Sequence, residues 1–166
     1  MHPTATQVVV RPARDQDLDA IVDLFVEVAA EGRWIGTELP VDRHRRRRRL
    51  AEALHQERAA VLVAEAGGRI VGHLGIDLAA YGVADFGMLV SDGWRGRGVG
   101  SALLREAVEW ARAAGAHKLA LQVWPHNTAA IVLYERFGFQ REGLLRRHYR
   151  RRNGELWDAV VMGLEL

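Results

Sequence analysis

The run Val90-Ser91-Asp92-Gly93-Trp94-Arg95-Gly96-Arg97-Gly98-Val99-Gly100-Ser101-Ala102-Leu103-Leu104 constrains the fold more than any other part of the chain. An apolar strand ends there in an Arg-Gly turn that opens directly into a helix. Glycine lets the backbone take unusual dihedrals and approach a ligand closely. The unpaired N–H groups of the first helical turn then converge at the positive end of the helix dipole, which suits the turn to holding phosphate. Arg95 and Arg97 add charge for oxygens the backbone cannot reach.

Spacing separates three kinds of phosphate loop. A nucleoside-triphosphate loop needs GxxxxGK(S/T), and the chain's only lysine is Lys118. A dinucleotide fingerprint needs GxGxxG, whereas this run reads Gly96-x-Gly98-x-Gly100. What remains, Arg95-x-x-Gly98-x-Gly100, resembles the acyl-CoA pyrophosphate loop (Q/R-x-x-G-x-G/A) of the GNAT superfamily of N-acetyltransferases. A second segment agrees with it. An apolar run from Leu119 to Trp124 is followed by Pro125-His126-Asn127, a helical stretch from Thr128 to Arg136, and Phe137-Gly138-Phe139. It resembles the superfamily pattern N-x-x-A-x-x-L-Y-x-x-x-G-F, through Asn127, Ala130, Leu133, Tyr134, Gly138 and Phe139. Asn127 and Tyr134 stand about two helical turns apart, on nearly the same face. Taken alone, Asn127 reads equally as a helix N-cap, Tyr134 as a core aromatic and Gly138 as a helix stop.

At 166 residues the chain is expected to form one domain over 1–166, with the first six residues a flexible N-terminus. It has no cysteine, which removes thiol nucleophiles, disulfides and zinc-thiolate sites and fits a reducing compartment. No metal is expected. No apolar stretch approaches the roughly 20 residues that span a bilayer, so the expectation is a cytoplasmic protein. The net charge is only +2, the basic residues are almost all arginine, and two clusters of them stand out, Arg43 to Arg49 and Arg146 to Arg152. Helical geometry spreads the first run around an axis as a solvated face. The second reads as strand-and-turn surface near an acceptor site, and no extended basic stripe interleaved with aromatics runs along the chain, so nucleic acid is not an expected partner.

Periodicity predicts a strand over Val8 to Arg11 and an amphipathic helix capped by Asp15, with Leu18, Ile21, Phe25 and Val28 inward. Asp42 is expected to cap a second helix ending near Arg58. Ala60 to Ala66, Gly67-Gly68 and Arg69 to Leu78 read as a hairpin, and Ala84 to Val90 as the strand before the phosphate turn. The next helix carries Val99, Leu103, Ala107 and Trp110 on one stripe, with Arg105 and Glu109 able to pair, and stops at Gly115. Phe139 to Tyr149 and Leu156 to Leu164 read as strands joined at Asn153-Gly154. Fold class is therefore α/β. The resemblance sharpens it to a three-layer α/β/α fold, with a mixed, mostly antiparallel sheet of about seven strands and four main helices.

The resemblance implies direct transfer of an acetyl group from acetyl-CoA to an amine. Backbone at Met88, Leu89 and Val90 would run beside the pantetheine, and an N–H there would hold the thioester oxygen. Arg95, Gly96, Arg97, Gly98, Gly100, Ser101 and Asn127 would complete the cofactor site. Tyr134 would protonate the leaving thiolate. The amine, with a free pKa near 10, must also lose a proton. Asp85 is the candidate base, with Glu38 and His73 as rivals. Acceptor selection would come from Gly32 to Glu38 and Tyr149 to Glu155, chiefly through Trp34, Glu38 and Tyr149. Aromatic surface beside arginine suits an amine that also carries an apolar group and a carboxylate, such as an amino acid or a peptide end. A peptide or ribosomal-protein N-terminus is the alternative enzymatic acceptor. A catalytically idle module that binds CoA or nucleic acid is the alternative of another class. A homodimer is implied by the resemblance alone.

Overall fold

The computed structural model describes residues 6–166; of the expected flexible N-terminus over residues 1–6, all but Thr6 lies outside the described residues. The strands are β1 (Val8–Pro12), β2 (Ala59–Ala66), β3 (Arg69–Leu78), β4 (Val83–Val90), β5 (Lys118–Val123), β6 (Gln140–Arg150) and β7 (Leu156–Glu165). The helices are α1 (Leu18–Glu31), α2 (Arg43–Leu54), α3 (Val99–Ala113) and α4 (Thr128–Arg136). One mixed sheet runs β1-β2-β3-β4-β5-β7-β6. β4 and β5 are parallel, whereas β1/β2, β5/β7 and β6/β7 are antiparallel. This is the α/β architecture expected. The chain divides into two compact units, Met1–Gly75 with Met88–Ala107, and Ile76–Gly87 with Val108–Leu166. Among the described residues, no helix is long and apolar enough to cross a membrane.

In the first unit α1 buries Leu18, Ile21 and Val22 against Ala13, Leu50, Val61 and Val63. Its next turns bring Leu24 and Val28 onto Leu89 of β4, with Phe25, Trp34 and Ile35 around them. Asp15 does not cap this helix. Asp15–Asp17 form a single 3-10 turn, and buried Asp17 takes the chain into α1. Arg11 Nη1 and Nη2 donate to the Asp17 carboxylate at 2.7 and 3.0 Å, and Arg14 N–H donates at 2.8 Å. The Arg11 guanidinium thereby holds the Asp17 carboxyl below the usual carboxylate range. Asp42 caps α2 as expected, accepting from Arg45 N–H at 3.0 Å. That helix stops at Leu54 rather than near Arg58, because His55 and Gln56 N–H groups turn back to Glu52 and Ala53 and the chain enters β2.

At Gly72 of β3 the side chains of α3 press on the backbone: a Cβ there would stand 2.9 Å from a Val99 methyl and 3.0 Å from a Leu103 methyl. Gly72→Ala is expected to cost about 1–3 kcal/mol by overpacking, read as a lower urea midpoint with unchanged slope.

In the second unit Ile131 and Tyr134 are the buried face of α4. Gly138, at φ +97°, ends the helix, and Phe139 N–H reaches back to Tyr134 C=O at 3.0 Å. That closure also packs the Tyr134 and Phe139 rings together. Gly115 stops α3 in the same way, with Ala116 N–H on Ala111 C=O. On α3, Glu109 pairs with Arg112 at 3.4 Å rather than with Arg105. The β6/β7 connection is longer than a two-residue Asn-Gly turn. Arg151 N–H bonds Glu155 C=O and Gly154 N–H bonds Arg151 C=O, which leaves Arg152, Asn153 and Gly154 as the loop. Only Gly154 takes positive φ, so the loop is a turn followed by a left-handed glycine.

Candidate acetyl-CoA and acceptor sites

The phosphate turn lies in the first unit. After Val90 the chain makes a 3-10 turn at Asp92–Trp94, and Trp94 N–H bonds Ser91 C=O at 2.9 Å. Gly96 and Gly98 then take φ of +71° and +84°, conformations that disfavour any side chain. Helix α3 starts its ladder with Ala102 N–H on Gly98 C=O at 3.0 Å. Helix geometry leaves the N–H groups of Val99, Gly100 and Ser101 outside that ladder. A Cβ built on Gly96 or Gly98 meets nothing within 4 Å, so the cradle is open on that side. Backbone donors converging on open space at a helix start fit a pyrophosphate.

The two arginines of the turn are folded onto the protein. Arg95 Nε donates to Val90 C=O at 3.0 Å, and its Nη atoms grip Glu31 at 2.6 and 2.7 Å. Arg95 keeps Glu31 below the usual carboxylate range, and Glu31 holds Arg95 more firmly protonated. Glu31 also accepts from Trp34 Nε1 at 3.1 Å. Arg97 stacks over Trp94 at 4.1 Å and donates to Gly93 C=O. In this geometry the main-chain amides of the turn are the donors left open to a ligand, and Arg95 ties the turn to the C-terminal end of α1. Sequence reasoning missed Glu31, whose partner lies 64 residues away.

On β4, Leu89 is buried and Met88 and Val90 are half-buried, whereas Asp85 and Gly87 are exposed. Partial burial, then the nearby charge of Asp77, raises the Asp85 pKa, the direction that suits a proton acceptor. Trp34 and Glu38 are half-buried in the loop after α1. His73 leaves the field of bases. It is buried on β3, 3.0 Å from Leu62 C=O through Nδ1. A carbonyl can only accept, so Nδ1 carries the proton. Burial pulls the ring's pKa down to about 4, far too weak a base for an amine. The folded value lies below the free value of about 6.5, so the protein loses stability as pH falls from about 6.5 towards 4. About 3 kcal/mol is at stake across that window. His73→Gln is expected to flatten the decline, seen in urea unfolding at pH 7 and pH 4.5.

The second unit holds the other candidates. Asn127 caps α4, accepting from Ala130 N–H at 3.4 Å. Tyr134 is 6% exposed, with the rings of Phe86 and Phe139 at 5.8 and 5.7 Å. Burial pushes its hydroxyl pKa up, so the proton stays on oxygen through neutral pH. Tyr149 is partly exposed, donates to Gln122 Oε1 and stands edge-on to Trp124 at 5.4 Å. Around it the structure adds two tryptophans to which the sequence gives no site role and seats Arg151 of the expected acceptor loop against them. Trp124 and Trp157 meet perpendicularly at 5.1 Å, and the buried Arg151 guanidinium lies over both, at 5.3 and 4.3 Å. Strand register was the available signal: Tyr149 sits opposite Trp157, and each strand end carries an aromatic.

A family model described as Acetyltransferase (GNAT) family matches residues 34–139, which contain both signature segments. Over 165 residues the chain is 35% identical to the L-amino acid N-acetyltransferase AaaT of Escherichia coli K12, covering 95% of this chain and 97% of the relative. It is 41% identical over 93 residues to the N-alpha-acetyltransferase RimI of Mycobacterium tuberculosis, covering 52% of this chain and 56% of that protein. The crystal structure of a GNAT-family acetyltransferase from Streptococcus pneumoniae superposes with a TM-score of 0.85 at 26% identity, covering 96% of this chain and 100% of that one. With the glycine turn, the Asn127 to Phe139 segment and the sheet order already in place, the chain belongs to the acetyltransferase (GNAT) family and is an acetyl-CoA-dependent N-acetyltransferase.

Proposed function

We propose that the acceptor is the α-amine of a free amino acid, acetylated directly while acetyl-CoA and acceptor are both bound. The observation that carries this reading is the similarity to an L-amino acid N-acetyltransferase over nearly the whole chain. The amine lone pair attacks the thioester carbonyl carbon, the C–S bond breaks, and the sulfur leaves with a proton. Main-chain N–H groups of Gly96, Gly98, Gly100 and Ser101 are assigned to the pyrophosphate, supported by their open cradle, with Arg95 and Arg97 at its border. Backbone of Met88, Leu89 and Val90 is assigned to the pantetheine and the thioester oxygen. Asn127 is assigned to the cofactor beside its capping role.

Tyr134 is assigned as the acid for the thiolate, a role its raised pKa supports. Asp85 is assigned as the base, directly or through water. Trp34, Glu38 and Tyr149 are assigned to the acceptor. A cytoplasmic location accords with a chain without cysteine.

A second reading, acetylation of a ribosomal-protein or peptide N-terminus, is favoured by the partial similarity to RimI. One assay separates the two. Purified protein is supplied with acetyl-CoA, and thiol release is followed over L-amino acids, peptides, polyamines, aminoglycosides and a ribosomal-protein N-terminal peptide. Turnover of amino acids is expected. Turnover of peptides alone replaces this reading with the second. Silence across the panel, with acetyl-CoA binding confirmed, overturns the amino-acid reading and means an acceptor outside the panel or an idle binding module.

A further inference from the structure

Helix α2 begins with a run of arginines, and α1 accounts for some of them. Arg43 pairs with Asp23, and Arg47 with Asp19 at 2.9 Å, so helical spacing points these two at the carboxylates of α1. Arg46 is different. It is half-buried, with its guanidinium 4.3 Å over the Phe25 ring, and Nη2 donates to Thr37 Oγ1 at 2.9 Å. No carboxylate among the described residues pairs with it. Burial, then the like charge of Arg49, lowers its pKa. A guanidinium carries five N–H donors, and a hydroxyl and an aromatic face leave its charge uncompensated. An arriving carboxylate would relieve that cost through paired, charge-assisted hydrogen bonds.

Position gives the carboxylate an identity. Phe25, beneath Arg46, packs onto Leu24, Val28 and Leu89 together with Trp34 and Ile35. Leu89 lies in the β4 stretch assigned to the thioester, and Trp34 and Thr37 belong to the loop assigned to the acceptor. The Phe25 ring thus packs against the cluster that holds Leu89 and also lies beneath the cation. In an α-amino acid the carboxylate is one carbon from the amine, so a cation near the reacting strand suits that compact pair.

We propose that Arg46, with Thr37 beside it, anchors the carboxylate of the acceptor, making the enzyme selective for free amino acids over substrates whose carboxyl is an amide. The inference rests on the amino-acid reading above. The same anchor would disfavour a peptide N-terminus, because its first carboxyl is already consumed in the chain.

The test compares the best L-amino acid of the thiol-release panel with its own α-amide, at saturating acetyl-CoA. Wild type is expected to favour the acid by about 100-fold in kcat/KM, as befits a charge-assisted pair. Arg46→Met, which keeps the apolar stem over Phe25, is expected to collapse that preference to within about threefold, through a higher KM for the acid. Arg46→Lys, which keeps the charge without the fork, is expected to retain about tenfold. Acetyl-CoA affinity, measured by calorimetry, reports that the variants are folded. An unchanged preference in Arg46→Met, while wild type acetylates amino acids, overturns the inference and leaves the amino-acid reading intact. A wild type that acetylates no amino acid overturns both.

Discussion

Gly98→Asp is expected to weaken acetyl-CoA binding by at least about 100-fold in calorimetry, equivalent to about 2.7 kcal/mol. Two effects add. Gly98 sits at φ +84°, where an L residue costs about 1–2 kcal/mol, so the turn either strains or retracts the N–H groups aimed at phosphate. The added carboxylate also enters the open side of the cradle and opposes the pyrophosphate, at about 3 kcal/mol for like charges near 5 Å at a protein surface. Gly98→Ala isolates the first effect. Its Cβ meets nothing within 4 Å, so only the dihedral strain remains, and about tenfold weakening is expected. Equal affinities for Gly98→Asp and wild type would remove the pyrophosphate from this turn.

Tyr134→Phe is expected to lower kcat about 100-fold while changing acetyl-CoA affinity less than about threefold, the signature of a lost proton donor. Phenylalanine keeps the ring that packs on Phe86 and Phe139, so the fold should tolerate the change. Direction of charge matters for the pH profile. Because burial raises the tyrosine pKa, the acid stays loaded as pH rises through the range where an amine acceptor deprotonates. Wild-type kcat should therefore climb towards alkaline pH without a tyrosine-linked fall near 10. Full turnover in Tyr134→Phe, with an unchanged pH profile, would assign the proton to another group.

Local spacing carried much of this into the sequence. Gly96 and Gly98 announced a strand–turn–helix because only glycine takes those dihedrals cheaply, and Asn127 and Gly138 bracketed α4 by capping chemistry. Features set by distant partners were not legible. Asp15 and Asp17 read alike as local caps until the fold of the turn brings Arg11 and the Arg14 N–H onto Asp17. Arg95 reads as a phosphate ligand, and nothing near it in the sequence shows that α1 also delivers Glu31 to it. Asn153-Gly154 signalled a hairpin, yet its size was fixed by the register that seats Tyr149 opposite Trp157. Arg43, Arg46 and Arg47 look interchangeable in a run, and the facing helix alone separates the paired from the unpaired.

Glu31 binds Trp34 with one oxygen and shares both with Arg95, so a single carboxylate belongs to the acceptor loop and to the cofactor turn together. Such an arrangement is a thermodynamic lever. If pyrophosphate draws Arg95 outward, Glu31 is left to Trp34 alone, and the loop settles into a different balance of forces. Linkage then requires the reverse effect of equal size: whatever acceptor binding does to Trp34 is returned as a change in affinity for acetyl-CoA. Cooperation between the two substrates would then be written into the fidelity of one glutamate to two partners.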